Sequence, residues 1–394
     1  MKKDKPRLIW LHTHICYWTG GTKFILNVVS NLSKHYQITV YVEDYDIKIK
    51  KEFEQGGVTV VQIAPYSSNR LYYWLFLPLI VVREIVLLKK ILSKDDTIIS
   101  SMFPMNIVAN YLSRKKHIQF IFEPFAFFHD KQMIDGYDQP VRSLLKILRF
   151  IYGPVDIRYT RISRKIMTVN SGVIKWIKEI YNKKASPSYL ILDSEKFKPV
   201  VDRYLSDKFK GKNIVLHTTD FTPLKRTDVI IKAFSKLVVD IPNAYLLIIS
   251  PVDYPPRRRE YEKLVRKLNI QENVSFEGFV ENRMLPAYYS LAKCAVYPGT
   301  GSGASACSYF VLEVMSCGTP VVRTSDSSEE VINNESGYLF APYDEKSLIR
   351  DITKLLKNPN QAKKMGLKAR QRIEKVYTVE NVIRNFNSVI NSVK

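Results

Sequence analysis

Short apolar runs alternate with longer amphipathic stretches along almost the whole chain, and this alternation predicts α/β architecture: parallel strands joined by crossover helices. The first half reads as a strand at Leu8 to Leu11, a glycine turn at Gly20-Gly21, a helix from Phe24 to Ser33 and a strand at Ile38 to Val42. Further strands are expected near Val58 to Ile63, Thr97 to Ser100, Gln119 to Phe122 and Lys165 to Val169, with helices over Trp74 to Leu92 and Pro140 to Tyr152. The pattern loosens from Ser186 to Pro199 and restarts at Ile214 to His217, which predicts an N-terminal domain over 1–200 and a C-terminal domain over 205–378. The second half repeats the alternation, with helices at Asp228 to Val238, Glu260 to Leu268, Met284 to Leu291 and Glu345 to Leu356. Its strands are expected at Ala244 to Ser250, Val274 to Glu277, Cys294 to Tyr297, Val321-Val322 and Gly337 to Phe340. A last helix, Val379 to Val393, carries Val379, Val382, Phe386, Val389 and Val393 on one face. Two such halves facing one another would place a ligand in a cleft at the carboxyl ends of the strands.

Composition narrows the class. With 394 residues, 46% hydrophobic and 12% aromatic, the chain has enough material for two full cores. The four cysteines, Cys16, Cys294, Cys307 and Cys317, show neither CxxC spacing nor a histidine cluster, which argues against zinc or a disulfide framework and for a reducing, cytoplasmic setting. The basic start, MKKDKPRLIWLHTH, has its apolar run broken within five residues, so a signal peptide is not expected. Leu71 to Val82 holds only twelve uncharged residues, too few to span a bilayer; it is either a core helix or an interfacial one.

The net charge is +22, and residues 1–190 hold 29 Lys/Arg against 15 Asp/Glu. Such a field favours a polyanion, either nucleic acid or an anionic membrane surface. No helix-turn-helix, zinc-finger or RRM pattern accompanies it, so a nucleic-acid partner is not expected and a basic nucleic-acid-binding protein is only a remote alternative. An anionic membrane surface under the N-terminal half fits both the charge and the Leu71 to Val82 run.

The densest candidate chemistry lies in Tyr309 to Val322, YFVLEVMSCGTPVV, read as a short helix, a stop at Gly318-Thr319-Pro320 and a buried strand. Small residues fill Gly299 to Ser308 just upstream, so backbone N–H groups can approach an anion while the Glu313 carboxylate accepts from hydroxyls. A phosphate beside a diol suits both; a solvated helix acid beside a loop is the plain alternative. Gly20-Gly21 between a strand and a helix is either a phosphate or sugar cradle or a tight turn.

These segments resemble glycosyltransferase family 4, whose pattern places a Glu, seven residues and a second Glu before an Ala/Ser-Cys-Gly-Thr-Pro-Val run. Glu313 matches the second Glu, and Ser305 stands where the first would be. His217-Thr-Thr-Asp220-Phe-Thr-Pro223-Leu-Lys225 resembles the family's Gly-Arg-x-x-Pro-x-Lys segment, with Thr219 for the Gly and Asp220 for the Arg. Phe276-Glu-Gly278-Phe-Val280, followed by Leu285-Pro and Tyr288, resembles its base-holding loop, which leaves uracil and guanine open. Gly20-Gly21 with TKFILNVVSNL resembles its opening, Phe122-Glu123-Pro124 through His129 resembles a His-Glu-Pro segment with Phe122 for the His, and Asn170-Ser171 also matches.

The resemblance implies a GT-B fold: two Rossmann-like domains facing across a cleft, with the final helix, 379–394, packing back on the first. It implies retaining, metal-independent transfer of a sugar from a nucleotide-sugar to a glycan or lipid-linked acceptor, with no cofactor, since no Asp-x-Asp signature sits on a suitable loop. Lys225 would stabilise the leaving diphosphate, Glu313 would bind the ribose, and His129 would serve on the acceptor side. Gly21, Asp220, Val280, Leu285, Ser305, Ala306, Cys307 and Ser308 would line the donor site, and Gly20, Glu123 and Asn170 the acceptor site. The departures at Ser305, Asp220, Thr219 and Phe122 leave open a catalytically silent GT-B-like sugar-nucleotide-binding or partner subunit.

Overall fold

The structure, a computed structural model, describes residues 5–63, 70–250, 255–299, 308–325 and 329–393. The chain forms two compact units, Met1–Ile191 with Val379–Lys394, and Leu192–Thr378.

The first unit is built on a seven-stranded parallel sheet of order β3-β2-β1-β4-β5-β6-β7. The strands are β1 (Arg7–Ile15), β2 (Gln37–Tyr45), β3 (Thr59–Gln62), β4 (Thr97–Ser101), β5 (His117–Ile121), β6 (Lys165–Thr168) and β7 (Ser186–Pro187). Between them run α1 (Gly20–Leu32), α2 (Ile47–Gln55), α3 (Arg70–Ile91), α4 (Met105–Leu112), α5 (Ala126–His129), α6 (Lys131–Asp135), α7 (Val141–Ile162) and α8 (Ser171–Tyr181). Leu8 to Leu11 is fully buried because β1 is covered on both faces, which is why it reads as a continuous apolar run rather than an alternating one.

Helix α1 starts four residues earlier than the apolar spacing suggested. Thr19 is extended and its Oγ1 accepts from the Thr22 N–H at 3.1 Å, so the threonine caps the helix and draws both glycines into its first turn. Helix α3 buries one side of its apolar run and leaves the other exposed. Leu77, Val81, Ile85 and Leu88 are buried on one side, while Tyr72, Leu75, Phe76, Leu79, Val82 and Val86 stay exposed on the other.

The second unit holds a six-stranded parallel sheet, β10-β9-β8-β11-β12-β13. Its strands are β8 (Asn213–Thr218), β9 (Ala244–Ile249), β10 (Val274–Gly278), β11 (Cys294–Tyr297), β12 (Val321–Thr324) and β13 (Gly337–Phe340). Its helices are α9 (Arg203–Lys208), α10 (Thr227–Asp240), α11 (Pro255–Lys267), α12 (Leu285–Leu291), α13 (Tyr309–Ser316), α14 (Glu345–Lys357) and α15 (Pro359–Val376). The unit begins at Leu192, ahead of the 200–205 stretch suggested by loss of periodicity. Leu192 N–H donates to Tyr377 O at 3.0 Å, Phe197 stacks on Tyr289 with ring centroids 6.2 Å apart, and Arg370 donates to Phe197 O. These contacts bind the irregular 192–199 segment to the second core.

The last helix, α16 (Val379–Asn391), packs on the first unit. Phe386 is fully buried, stacked on Phe120 at 5.8 Å and tilted against Trp10 at 6.0 Å, and Tyr36 Oη donates to Asn387 Oδ1 at 3.1 Å.

Candidate functional site

In an open parallel sheet the chain leaves neighbouring strands in opposite directions at one point, and ligands settle there at the carboxyl ends. In the second unit that point lies between β8 and β11. The β8 exit runs Thr219-Asp220 into a 3-10 turn, Pro223–Lys225, and then α10. Lys225 Nζ donates to the Tyr297 hydroxyl at 3.3 Å and lies 5.3 Å from its ring centroid, so the last residue of β11 fixes the ammonium at the switch point. Arg323 of β12 lies against the same ring, 5.3 Å from its centroid, and forms a wholly buried ion pair with Glu330.

Thr219 and Asp220 are occupied locally. Thr219 Oγ1 accepts from Phe221 N–H at 2.9 Å and from Thr227 Oγ1 at 2.8 Å, and Asp220 Oδ1 accepts from the backbone and hydroxyl of Thr222 at 2.9 and 2.6 Å. Arg226 pairs with Asp228 at 3.3 Å. His217 is buried between Val296 O and Thr227 Oγ1, and burial lowers its pKa to about 4, so the ring is neutral at physiological pH.

Glu313 is the fifth residue of α13 and is 5% exposed, with one oxygen accepting from Tyr289 Oη at 2.9 Å. Burial, then the neighbouring Glu313, holds the Tyr289 hydroxyl well above the ordinary tyrosine range, so it remains a donor to the carboxylate. Phe310 lies 5.9 Å from Tyr289 and 6.3 Å from Tyr297 between ring centroids. One aromatic cluster therefore carries Glu313 at one end and Lys225 at the other. Ser308 is the extended residue ahead of α13 and makes no side-chain cap, and Gly318 takes φ +77 where the helix stops. Ser305, Ala306 and Cys307 lie outside the described residues.

Val280 follows β10 and Leu285 is the first residue of α12. Gly278, at φ +67, accepts from Ser250 N–H at 3.1 Å, and Arg258 reaches the same loop through Phe276 O at 3.3 Å.

In the first unit the switch point lies between β1 and β4. Gly20 and Gly21 open α1 there, and the Phe122 ring stands 3.7 Å from where a Cβ on Gly21 would be. Glu123 and His129 follow β5, and Asn170 follows β6. His129 Nε2 is 2.8 Å from Asp156 Oδ2, which also accepts from Tyr181 Oη at 2.8 Å, while Asn106 donates to Asp156 Oδ1 at 2.9 Å. Its sequence neighbour Asp130 instead accepts from Met133 N–H at 3.1 Å. Asn170 is fully buried and caps α8, its Oδ1 accepting from Val173 N–H at 2.9 Å.

Residues without a motif also stand here. His12, near the end of β1, has Nδ1 2.9 Å from Ser101 Oγ; burial and then His14 lower its pKa to about 3. Tyr17 and Trp18 are exposed just before α1. The His-x-His of LHTH and the aromatic pair before Gly20 were the available signals. Among the described residues no three His, Cys, Asp or Glu side chains gather as a metal site, and no helix is long and apolar enough to cross a membrane.

Comparison with known proteins shows what this chain is similar to. The description "Glycosyl transferases group 1" matches residues 202–372. The chain is 24% identical over 252 residues to N-acetyl-alpha-D-glucosaminyl L-malate synthase of Bacillus anthracis, covering 63% of this chain and 62% of that one. It is 25% identical over 189 residues to poly(ribitol-phosphate) alpha-N-acetylglucosaminyltransferase of Staphylococcus aureus strain COL, covering 47% of this chain and 36% of that one. The matched stretches thus span less than two thirds of these curated relatives' own length. Two solved structures share the fold. Sucrose-phosphate synthase from Thermosynechococcus elongatus has a TM-score of 0.75 at 17% identity, covering 98% of this chain and 99% of that one. Anabaena Alr3699/HepE in complex with UDP has a TM-score of 0.74 at 14% identity, covering 98% and 100%. The two Rossmann-like sheets are those of the GT-B fold, and residues 202–372 are similar to the glycosyl transferases group 1 family.

Proposed function

We propose that this protein transfers a sugar from a nucleotide-sugar donor to a glycan or lipid-linked acceptor, with retention at the anomeric carbon and without a metal ion. The observation that carries the reading is the aromatic cluster at the β8/β11 switch point, which holds Lys225 and Glu313 at its two ends. As the bond from the anomeric carbon to the diphosphate breaks, negative charge collects on the diphosphate, and the Lys225 ammonium offsets it where it forms. Glu313, aligned by Tyr289, accepts from the ribose hydroxyls, and the backbone N–H groups at the start of α13 face the phosphates. The acceptor hydroxyl oxygen bonds to the anomeric carbon and its proton leaves to the departing diphosphate. In the first unit His129, its ring fixed by Asp156, joins Gly20, Glu123 and Asn170 on the acceptor side.

Support for a nucleotide donor also comes from Anabaena Alr3699/HepE, seen with UDP and with UDP and glucose. The test is calorimetry with UDP- and GDP-sugars followed by turnover assays. Lys225→Ala should lower turnover far more than donor affinity, whereas a wild-type protein that binds no nucleotide-sugar would remove the reading. Binding without turnover would favour the silent partner subunit, to which the local closure of Asp220 by Thr222 lends weight.

The setting we propose is cytoplasmic, peripheral on the inner face of an anionic membrane. Its support is the exposed stripe on α3 together with Leu144, Ile147, Phe150 and Ile151 on α7, with Phe150 84% exposed. The two helices meet where Tyr152 Oη donates to Trp74 O at 2.8 Å, and Arg83, Lys89, Lys90, Lys146 and Arg149 are exposed on the same two helices. Leu79→Glu with Phe150→Glu should abolish flotation with phosphatidylglycerol vesicles; unchanged flotation would refute the placement.

A further inference from the structure

A basic feature that the proposed chemistry does not use lies at the opposite edge of the first sheet. The three turns that enter β5, β6 and β7 each carry adjacent cations: Arg114-Lys115-Lys116, Arg164-Lys165 and Lys183-Lys184. These strands are consecutive neighbours in the parallel sheet, so their amino ends lie side by side at a spacing of about 4.8 Å. An open cavity of about 670 Å³ is set into this edge, lined by Arg114, Lys115, Arg164 and Lys183, with Ile162 and Val393 as its apolar wall. No carboxylate of the described residues lines it.

Among the described residues most of the charge there is uncompensated. Lys116 is drawn off by Asp95 at 3.1 Å, but Arg114, Lys115 and Arg164 have no carboxylate partner among the described residues. Lys183 Nζ donates to Ser163 O at 3.0 Å, which points the ammonium along the cavity wall, and partial burial followed by the nearby Arg164 lowers its pKa. Cations gathered at this density repel one another, and an anion between them relieves the repulsion. Two of the four are guanidiniums, which bind phosphate oxygens in pairs.

We propose that this cavity binds a phosphate-bearing ligand, its phosphates held by Arg114, Lys115, Arg164 and Lys183 and its organic body resting on Ile162 and Val393. The ligand is a lipid headgroup or a soluble phosphate ester, and the site is separate from the carboxyl-edge positions assigned to donor and acceptor.

Calorimetry with tripolyphosphate at low and high salt tests this on the full chain. Wild type should bind, more weakly as salt rises, and Arg114→Gln/Arg164→Gln/Lys183→Gln should weaken binding at least tenfold while UDP-sugar affinity stays unchanged. Should that variant fold poorly, Arg114→Gln/Arg164→Gln, at two exposed positions, should still weaken binding severalfold. Lys48→Gln/Lys51→Gln/Lys131→Gln removes the same charge from exposed sites elsewhere on the unit and should change affinity less than twofold. Equal losses in the two triple variants would reduce the effect to net charge, and loss of tripolyphosphate binding in Lys225→Gln would assign it to the donor site; either overturns the proposal, as does an unchanged affinity in the cavity variant. Phosphatidylglycerol vesicles identify the source: flotation lost in the cavity variant marks a lipid headgroup, and flotation retained with tripolyphosphate binding lost marks a soluble ester.

Discussion

Glu84 of α3 and Glu43 of β2 face each other in the first core, 0% and 2% exposed. The Tyr73 hydroxyl donates to both Glu43 oxygens, at 2.9 and 3.0 Å, whereas neither Glu84 oxygen meets a donor. A proton on Glu84 supplies the missing donor. Burial and then the Glu43 charge raise the Glu84 pKa to about 9; burial raises that of Glu43 to about 7, with Tyr73 acting in the opposite direction. Both folded values lie above the unfolded value of 4.5, so folding takes up protons. The associated stability is complete below pH 4.5 and is lost as pH rises toward 9. One retained proton corresponds to about 1.4 kcal/mol per pH unit, an upper bound of about 4 kcal/mol between pH 5 and 8, comparable to a large fraction of a domain's stability. Glu84→Gln keeps the shape, provides an amide donor to Glu43 and removes the shared proton. Its unfolding free energy should vary less with pH and should exceed that of wild type at pH 8 by about 1 to 3 kcal/mol. All four tryptophans, Trp10, Trp18, Trp74 and Trp176, belong to the first unit, so tryptophan fluorescence during urea unfolding follows the relevant transition. Parallel pH curves for variant and wild type, or a wild-type midpoint that rises from pH 5 to 8, would refute the reasoning.

Glu313→Gln should weaken free UDP or GDP as well as the sugar nucleotide, by about 1.5 to 3 kcal/mol for a charge-assisted hydrogen bond, measured by calorimetry. Tyr289→Phe removes the donor that aligns Glu313 and should cost nucleotide affinity about 0.5 to 1.5 kcal/mol, in the same titration. Phe386→Ala empties a fully buried site between Trp10 and Phe120 and should destabilise the first unit by about 3 to 5 kcal/mol in the tryptophan-monitored transition, leaving UDP affinity unchanged.

The strands were legible wherever burial on both faces leaves an unbroken apolar run: Cys294–Tyr297 and Gly337–Phe340 coincide with the sequence reading to the residue. Helix starts were less so. A threonine cap outranks the local preference of two glycines at α1, and a cap is a hydrogen bond rather than a periodicity. Helix α7 runs to Ile162, ten residues beyond the expected end at Tyr152, because tertiary packing carries it past Gly153 and Pro154. At the candidate site, Glu313 could be singled out by its place in a punctuated helix and Lys225 by the family resemblance of its segment. Their partners could not: Tyr297 lies 72 residues from Lys225, Tyr289 lies 24 from Glu313, and no local pattern records such distances. Nor does any local pattern reveal that His129 pairs with Asp156, 27 residues away, rather than with its neighbour Asp130.

The return of α16 to the first sheet has a consequence for biosynthesis. Its Phe386 completes the Trp10 and Phe120 cluster, yet it leaves the ribosome well after both of them, with the whole second unit in between. The Leu192–Thr378 unit owes nothing to that helix for its own core and is free to mature while the polypeptide is still tethered. The first unit is therefore completed after the second, and until α16 emerges it leaves the apolar side chains of β1 and β5 that Phe386 covers open to misassociation.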